Sequence, residues 1–224
     1  MRAEPAAVLW DFDGTLVDTE PLWAATEREM LADYGVHWGE DKMVACHGQH
    51  ALITAQMMAE DMGIPERAGW VWRELHERIA DHIRSNDLPW LPGARELMAE
   101  LAGAGVPCAI VTASDRIILD AARTRLPSHL DVIVTVDEVA QAKPHPEAYL
   151  TAAARLGVDP RDAVALEDSV PGTAAALAAG AVVYAVPSMV QLPPHPRMHV
   201  SATGLAGSTW AGLADVWREL KELS

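Results

Sequence analysis

The chain of 224 residues has little cysteine, only Cys46 and Cys108. They lie far apart and neither has a second cysteine at metal-ligand spacing. That excludes a disulfide framework and a zinc knuckle, and it fits a reducing compartment. Basic residues are scarce too: 17 Lys and Arg stand against 32 Asp and Glu, a formal charge of −15. A general nucleic-acid binder is thereby excluded. Long apolar runs are also missing. The longest, 174–186, is broken by Gly180 and falls short of the ~20 residues that a membrane span needs. The first residues lack the basic region and extended apolar stretch of a signal peptide. The expectation is a cytoplasmic protein with no membrane and no nucleic-acid partner. With 50% hydrophobic and 22% charged residues, the chain has the composition of a globular fold that buries a core.

What is present is a rhythm of short apolar runs and helix-period segments. Residues 6–10 form a continuous apolar run that stops at Asp11, the pattern of a strand buried on both faces of a parallel sheet. Similar runs recur at 106–111, 132–136, 163–166 and 181–186. Helical periodicity occupies 94–102, 116–125, 146–156, 172–179 and 210–223, so the second half reads as βαβ units of a doubly wound α/β sheet. Residues 17–87 break the rhythm. They carry three helical patterns, around Leu22–Leu31, Leu52–Met62 and Trp70–Ile83, with no convincing strand. The expected fold is a Rossmann-like α/β core, 1–16 and 88–224, with a small all-helical unit, 17–87, inserted after the first strand. Leu16–Thr19 and the Pro/Gly-rich stretch Leu88–Gly93 would be the two connections. Residues 192–196 read as an irregular loop.

Asp11-Phe12-Asp13-Gly14-Thr15 follows directly on the first strand, at the carboxyl edge where open α/β sheets place their ligands. Two carboxylates one residue apart repel each other, and a hard cation or a shared proton relieves that repulsion. Gly14 lets the chain turn. An EF-hand is excluded because Gly14 falls at loop position 4 and Leu22 stands where the bidentate acid belongs. Thr112 ends the second core strand, Lys143 opens the Lys-Pro-His-Pro loop after the third, and Glu167-Asp168 ends the fourth. A parallel sheet brings all of these to one edge.

Asp11–Glu20, Val111-Thr112-Ala113-Ser114, Lys143-Pro144-His145-Pro146, Leu166–Gly172 and Leu91-Pro92-Gly93 together resemble the haloacid dehalogenase superfamily, in the subfamily with a small helical cap after the first motif. The resemblance implies Mg²⁺-dependent hydrolysis of a small phosphorylated metabolite. Asp11 would be the nucleophile and would form an aspartyl-phosphate. Asp13 would protonate the leaving alcohol and then take a proton from water, a role that its acidic neighbours would favour by repulsion. Asp11 and Asp168 side chains and the Asp13 carbonyl would hold the metal, with Glu167 orienting a metal-bound water. Thr112, Ala113, Ser114 and Lys143 would bind the phosphoryl group. Cap residues Trp23, His47, Gln49 and His50 are the candidates for reading the leaving alcohol, in a monomer or weak dimer.

Within such a family, Asp13 favours phosphate esters over halides and phosphonates, whose cleavage does not use this acid. A mutase of the β-phosphoglucomutase type is the main alternative. It is disfavoured because those enzymes carry His where this chain has Trp23, and because Gln49-His50 follow Gly48 in place of an early Arg. The stretch from Glu20 to Trp23 is similar to bacterial sugar and hexitol phosphatases. A phospho-accepting signalling domain is the non-enzymatic alternative, and the order of acid pair, Thr, Lys and acid pair is wrong for it.

Overall fold

The structure, a computed structural model, describes residues 3–46, 51–130, 132–186 and 191–223. Six strands form one parallel sheet: β1 (Ala7–Trp10), β2 (Cys108–Val111), β3 (Val132–Val134), β4 (Ala163–Glu167), β5 (Val182–Ala185) and β6 (Met198–Val200), in the order β3-β2-β1-β4-β5-β6. The order reverses between β2 and β4 on either side of β1, so the carboxyl end of β1 lies at the switch point of the sheet, the place where doubly wound folds leave a crevice. Five strands are those expected from the apolar runs. The sixth, β6, was not expected. Its three residues are half-buried or exposed, so it carries no apolar run, and as an edge strand it needs none.

The five expected strands read as apolar runs because both faces are covered, but the two faces are chemically different. Ala7, Leu9, Ala109, Val111, Ala163 and Ala165 face one side, together with Tyr149, Ala152, Ala175 and Ala176. These last four belong to helices α7 (Glu147–Leu156) and α8 (Val170–Ala179). Val8, Trp10, Ile110, Val164 and Leu166 face the other, which α5 (Ala94–Gly103) and α9 (Trp210–Leu220) help to cover with Leu97, Leu101, Leu213 and Trp217. Alanine on the first face lets α7 and α8 sit close over the strands; the second is filled by large side chains in the dense packing usual of interiors.

Between β1 and α5 lie four helices and, among the described residues, no strand: α1 (Glu20–Ala32), α2 (Glu40–Cys46), α3 (Ala51–Asp61) and α4 (Ala68–Ser85). This is the expected helical cap after the first strand. Helix α2 had no counterpart in the periodicity, since Glu40-Asp41-Lys42 opens its seven residues and leaves too short an apolar face. The two connections are tied to each other. The Asp18 amide donates to the Pro89 carbonyl (2.8 Å), and the Leu91 amide to the Leu16 carbonyl (3.1 Å). Gly93, at φ +85°, closes the return: a Cβ there would overlap the Leu205 carbonyl, which accounts for glycine after Leu91-Pro92. The helix expected at 116–125 stops at Ala122 and tightens into a 3-10 turn.

Candidate active site

The four strand ends deliver their side chains to one place. Asp11 follows β1, and its amide donates to the Leu166 carbonyl of β4 (3.0 Å). Lys143, from the loop after β3, donates to Asp11 Oδ1 (2.7 Å), Glu167 Oε1 (2.6 Å) and the Val111 carbonyl at the end of β2 (2.9 Å). An ammonium has three protons to give, so all of them are engaged by the protein. Lys143 therefore fixes one oxygen of Asp11 and leaves Oδ2 without a protein donor among the described residues.

Glu167 is fully buried at 0% exposure, and it is the most heavily hydrogen-bonded acid of the site. Oε1 accepts from Lys143 and from the Tyr149 hydroxyl (2.7 Å). Oε2 accepts from the Asp168 amide (3.2 Å), the Ser169 amide (3.3 Å) and the Ser169 hydroxyl (3.1 Å). The carboxylate lies over the start of α8, where the orphan amides and the helix dipole favour negative charge. Gly172 makes room for it, because any Cβ at that position would coincide with the Glu167 carboxyl. Glu167, expected beside the metal, thus spends its acceptor capacity on protein donors and anchors Lys143.

Asp13 lies in different surroundings. It is partly exposed, has no basic partner among the described residues, and accepts only from hydroxyls: Thr19, Ser114 (2.6 Å) and, more distantly, Thr112 (3.4 Å). Thr112 also accepts from the Ser114 amide (2.9 Å). The hydroxyls expected to hold phosphate therefore hold Asp13 in this structure, with Ala113 exposed between them. Gly14, at φ +84°, turns the chain between the two acids, and a Cβ there would overlap the Asp168 carboxylate.

The electrostatics follow from this crowding. Burial pushes the Asp11 carboxyl well above its usual range; Lys143 opposes the shift, and repulsion from Glu167 and Asp168 adds to it. Burial and then Glu167 push Asp168 up to about 7. For Lys143, burial works against the charged form, but Asp11 and Glu167 outweigh it and hold the ammonium above its ordinary value. Three acids thus share one cation. Asp11, Glu167 and Asp168 each bring a carboxylate oxygen within 4.8 Å of the others. Hard oxygen donors carrying uncompensated negative charge fit a divalent cation such as Mg²⁺.

Of the cap candidates, Trp23 is half-buried in α1 and meets the His76 ring edge-on with centroids 5.1 Å apart. His47, Gln49 and His50 lie outside the described residues. The sequence reading missed Thr19, Ser169 and Tyr149 as partners of the site. Only Tyr149 carried a signal, as a lone phenol among the alanines of α7 whose hydroxyl needs a partner once buried.

The profile of the haloacid dehalogenase-like hydrolases matches residues 8–186. Hexitol phosphatase B of Escherichia coli is 33% identical over 178 residues, covering 77% of this chain and 79% of that protein. The bifunctional riboflavin kinase/FMN phosphatase of Arabidopsis thaliana is 34% identical over 212 residues, and the chain, 91% covered, spans 53% of that longer protein. Among solved structures, CbbY from Rhodobacter sphaeroides in complex with phosphate superposes with a TM-score of 0.76 at 28% identity, covering 93% of this chain and 99% of that one. No helix among the described residues is long and apolar enough to cross a membrane. The profile runs from the first strand to the end of the fifth and takes in every group gathered at the sheet edge, and the chain belongs to the haloacid dehalogenase-like hydrolases.

Proposed function

We propose that the chain is a cytoplasmic phosphatase that hydrolyses a small phosphate monoester, a sugar or polyol phosphate, through an aspartyl-phosphate on Asp11 and with Mg²⁺ as cofactor. Residues 17–87 would act as its cap, closing over the site. The observation that carries this reading is the division of labour between two neighbouring acids. Among the described residues, Asp11 is locked by Lys143 on one oxygen with no donor on the other, whereas Asp13, two residues on, is held by hydroxyls alone.

In the reaction, the free oxygen of Asp11 attacks phosphorus and the bond from phosphorus to the ester oxygen breaks. Asp13 supplies the proton that the departing alkoxide needs, work worth roughly 10²–10⁴ in rate for a positioned general acid. Water then attacks the phosphoryl group, Asp13 takes a proton back, and Asp11 is released as carboxylate. Asp11 and Asp168 side chains and the Asp13 carbonyl would hold the cation, and Glu167 would stay on its protein donors and orient the surroundings. When bound, the cation supplies the positive charge that offsets the acids' repulsion of a phosphate dianion and stabilises the charge of the transferring group. Thr112, Ala113 and Ser114 would meet the phosphoryl oxygens. Lys143 would act on the phosphoryl group mainly through its charge, since its protons are engaged.

The hexitol phosphatase among the relatives supports the polyol class. The edge-on packing of Trp23 against His76 stands where a mutase carries a functional histidine, which disfavours phosphate migration. The test is release of inorganic phosphate from a panel of hexose, hexitol, pentose and short-acid phosphates, with MgCl₂ or EDTA and with Asp11→Asn as the blank. Turnover that needs a divalent cation and is absent in Asp11→Asn is expected. Phosphate moved within a sugar, or one stoichiometric phosphorylation with no turnover, would overturn the reading.

A further inference from the structure

We infer that His76, on cap helix α4, is a positioning residue for Asp13, because it ties the two segments that hold this acid to each other. The inference rests on Asp13 as the general acid–base. His76 is 3% exposed. Its Nδ1 lies 2.7 Å from the Trp72 carbonyl, an oxygen that only accepts, so Nδ1 carries a proton. Its Nε2 lies 3.0 Å from Asp115 Oδ2, within hydrogen-bond reach. Asp115 belongs to the core: its Oδ1 accepts from the Ile117 amide (3.1 Å) and caps α6 (Arg116–Ala122). A buried His–Asp contact thus joins the cap to the residue that directly follows Ser114.

On its other side, His76 packs against Trp23, edge-on at 5.1 Å, and Trp72, at 4.3 Å between centroids. Trp23 lies one turn beyond Thr19 in α1, and the Trp23 amide donates to the Thr19 carbonyl (3.0 Å). The contacts therefore close a ring: Asp13 to Ser114, Asp115, His76, Trp23, Thr19 and back to Asp13. Both short hydroxyl contacts to Asp13 come from segments that meet at His76. A hydroxyl holds a carboxylate in place only as well as the segment that carries it is itself held. His76 supplies that hold from the cap.

The experiment is a cycle of His76→Phe, Asp115→Asn and the double variant, read by thermal unfolding and by steady-state kinetics on a phosphate ester that the wild type turns over. Phe keeps the ring between the two tryptophans and removes both nitrogens, leaving the Asp115 carboxylate buried without its partner. Asn keeps the cap on α6 through its side-chain oxygen. The expected pattern is a lowered Tm in His76→Phe that the double variant largely recovers, since it removes the stranded charge. The kcat, in contrast, falls about tenfold or more in His76→Phe with KM changed little, and it does not recover in the double variant. Recovery of kcat together with Tm would overturn the inference by showing a structural role alone, as would kcat within twofold of wild type in all three. Were the wild type to turn over no phosphate ester, the function reading fails on its own; a Tm of the double variant at the additive value would then sink the His76–Asp115 link independently of catalysis.

Discussion

Asp11 and Asp13 are separated by one residue and could hardly be held more differently. Asp11 sits on the β1–β4 seam in a buried network in which Lys143 binds Asp11, Glu167 and a main-chain carbonyl, while five protein donors meet Glu167. Asp13 sits on the β1–β2 side, partly exposed, held by hydroxyls that come from a connection to the cap and from a loop. The first environment is built by strand ends and permits one arrangement, which suits a nucleophile that must meet phosphorus along a fixed line. The second is adjustable, which suits a group that must serve first the leaving alcohol and then water. A single dipeptide step at a strand end thus separates an acid fixed by strand ends from one held by hydroxyls of a loop and a connection.

The sharpest way to break this comparison is Asp13→Asn. The amide oxygen accepts from the hydroxyls on one side and the amide nitrogen donates to the hydroxyl oxygen on the other, so the fold should survive with Tm within a few degrees, while kcat falls roughly 10²–10⁴-fold. Phosphate-release kinetics alongside thermal unfolding decide it. Activity kept within tenfold would show that the proton comes from elsewhere.

How far the sequence foretold this depends on which half is considered. The apolar runs that end at Asp11, Thr112 and Glu167 locate the β1–β4 seam directly, because a parallel sheet has one edge where strands end and the period of each run is visible in the chain. Lys143 follows by the same logic. The partners of Asp13 were only partly legible. Thr19 lies in a connection with no periodicity, and its contact with Asp13 depends on how Val17 and Asp18 pair with the returning segment. His76 and Asp115 are 39 positions apart and meet only because α4 lies against α6. Helix α2 and strand β6 were missed because a seven-residue helix that opens on Glu40-Asp41-Lys42 and a three-residue edge strand are too short to impose a pattern.

The second prediction concerns the charge stored on the rigid half. Burial and mutual repulsion raise Asp11 well above its ordinary value and Asp168 to about 7. A raised carboxyl binds more protons when folded than when unfolded, so its contribution to stability is full below the unfolded value of about 4 and is lost as pH rises through the folded one. In EDTA the Tm should therefore fall between about pH 5 and pH 7.5. A divalent cation binds the ionised carboxylates, so the gain in Tm from MgCl₂ should grow over the same interval. Thermal scans at half-unit steps with and without MgCl₂ check both slopes. A gain of the same size at pH 5 and pH 7.5 would mean that these acids do not hold the ion.

The smallest effect, and the finest test of the contrast, comes from one hydroxyl on each half. Tyr149→Phe removes a buried donor from Glu167 Oε1 but leaves Lys143 on the same oxygen and three donors on the other. Withdrawing a donor from a fully buried carboxylate costs about 1–3 kcal/mol, which in a chain of this size is a Tm lower by several degrees. Because four donors still fix the carboxylate and Lys143 is still attached to Asp11, kcat should fall only a few-fold. Thr19→Val removes a donor from Asp13, which is partly exposed and keeps the Ser114 hydroxyl. There the Tm should hardly move, yet kcat should drop further than in Tyr149→Phe, because the lost hydroxyl positioned the acid itself. Stability would thus report the rigid half and turnover the adjustable one; equal losses of Tm and kcat in the two variants would mean that the acids share one network and that the division between them is not real.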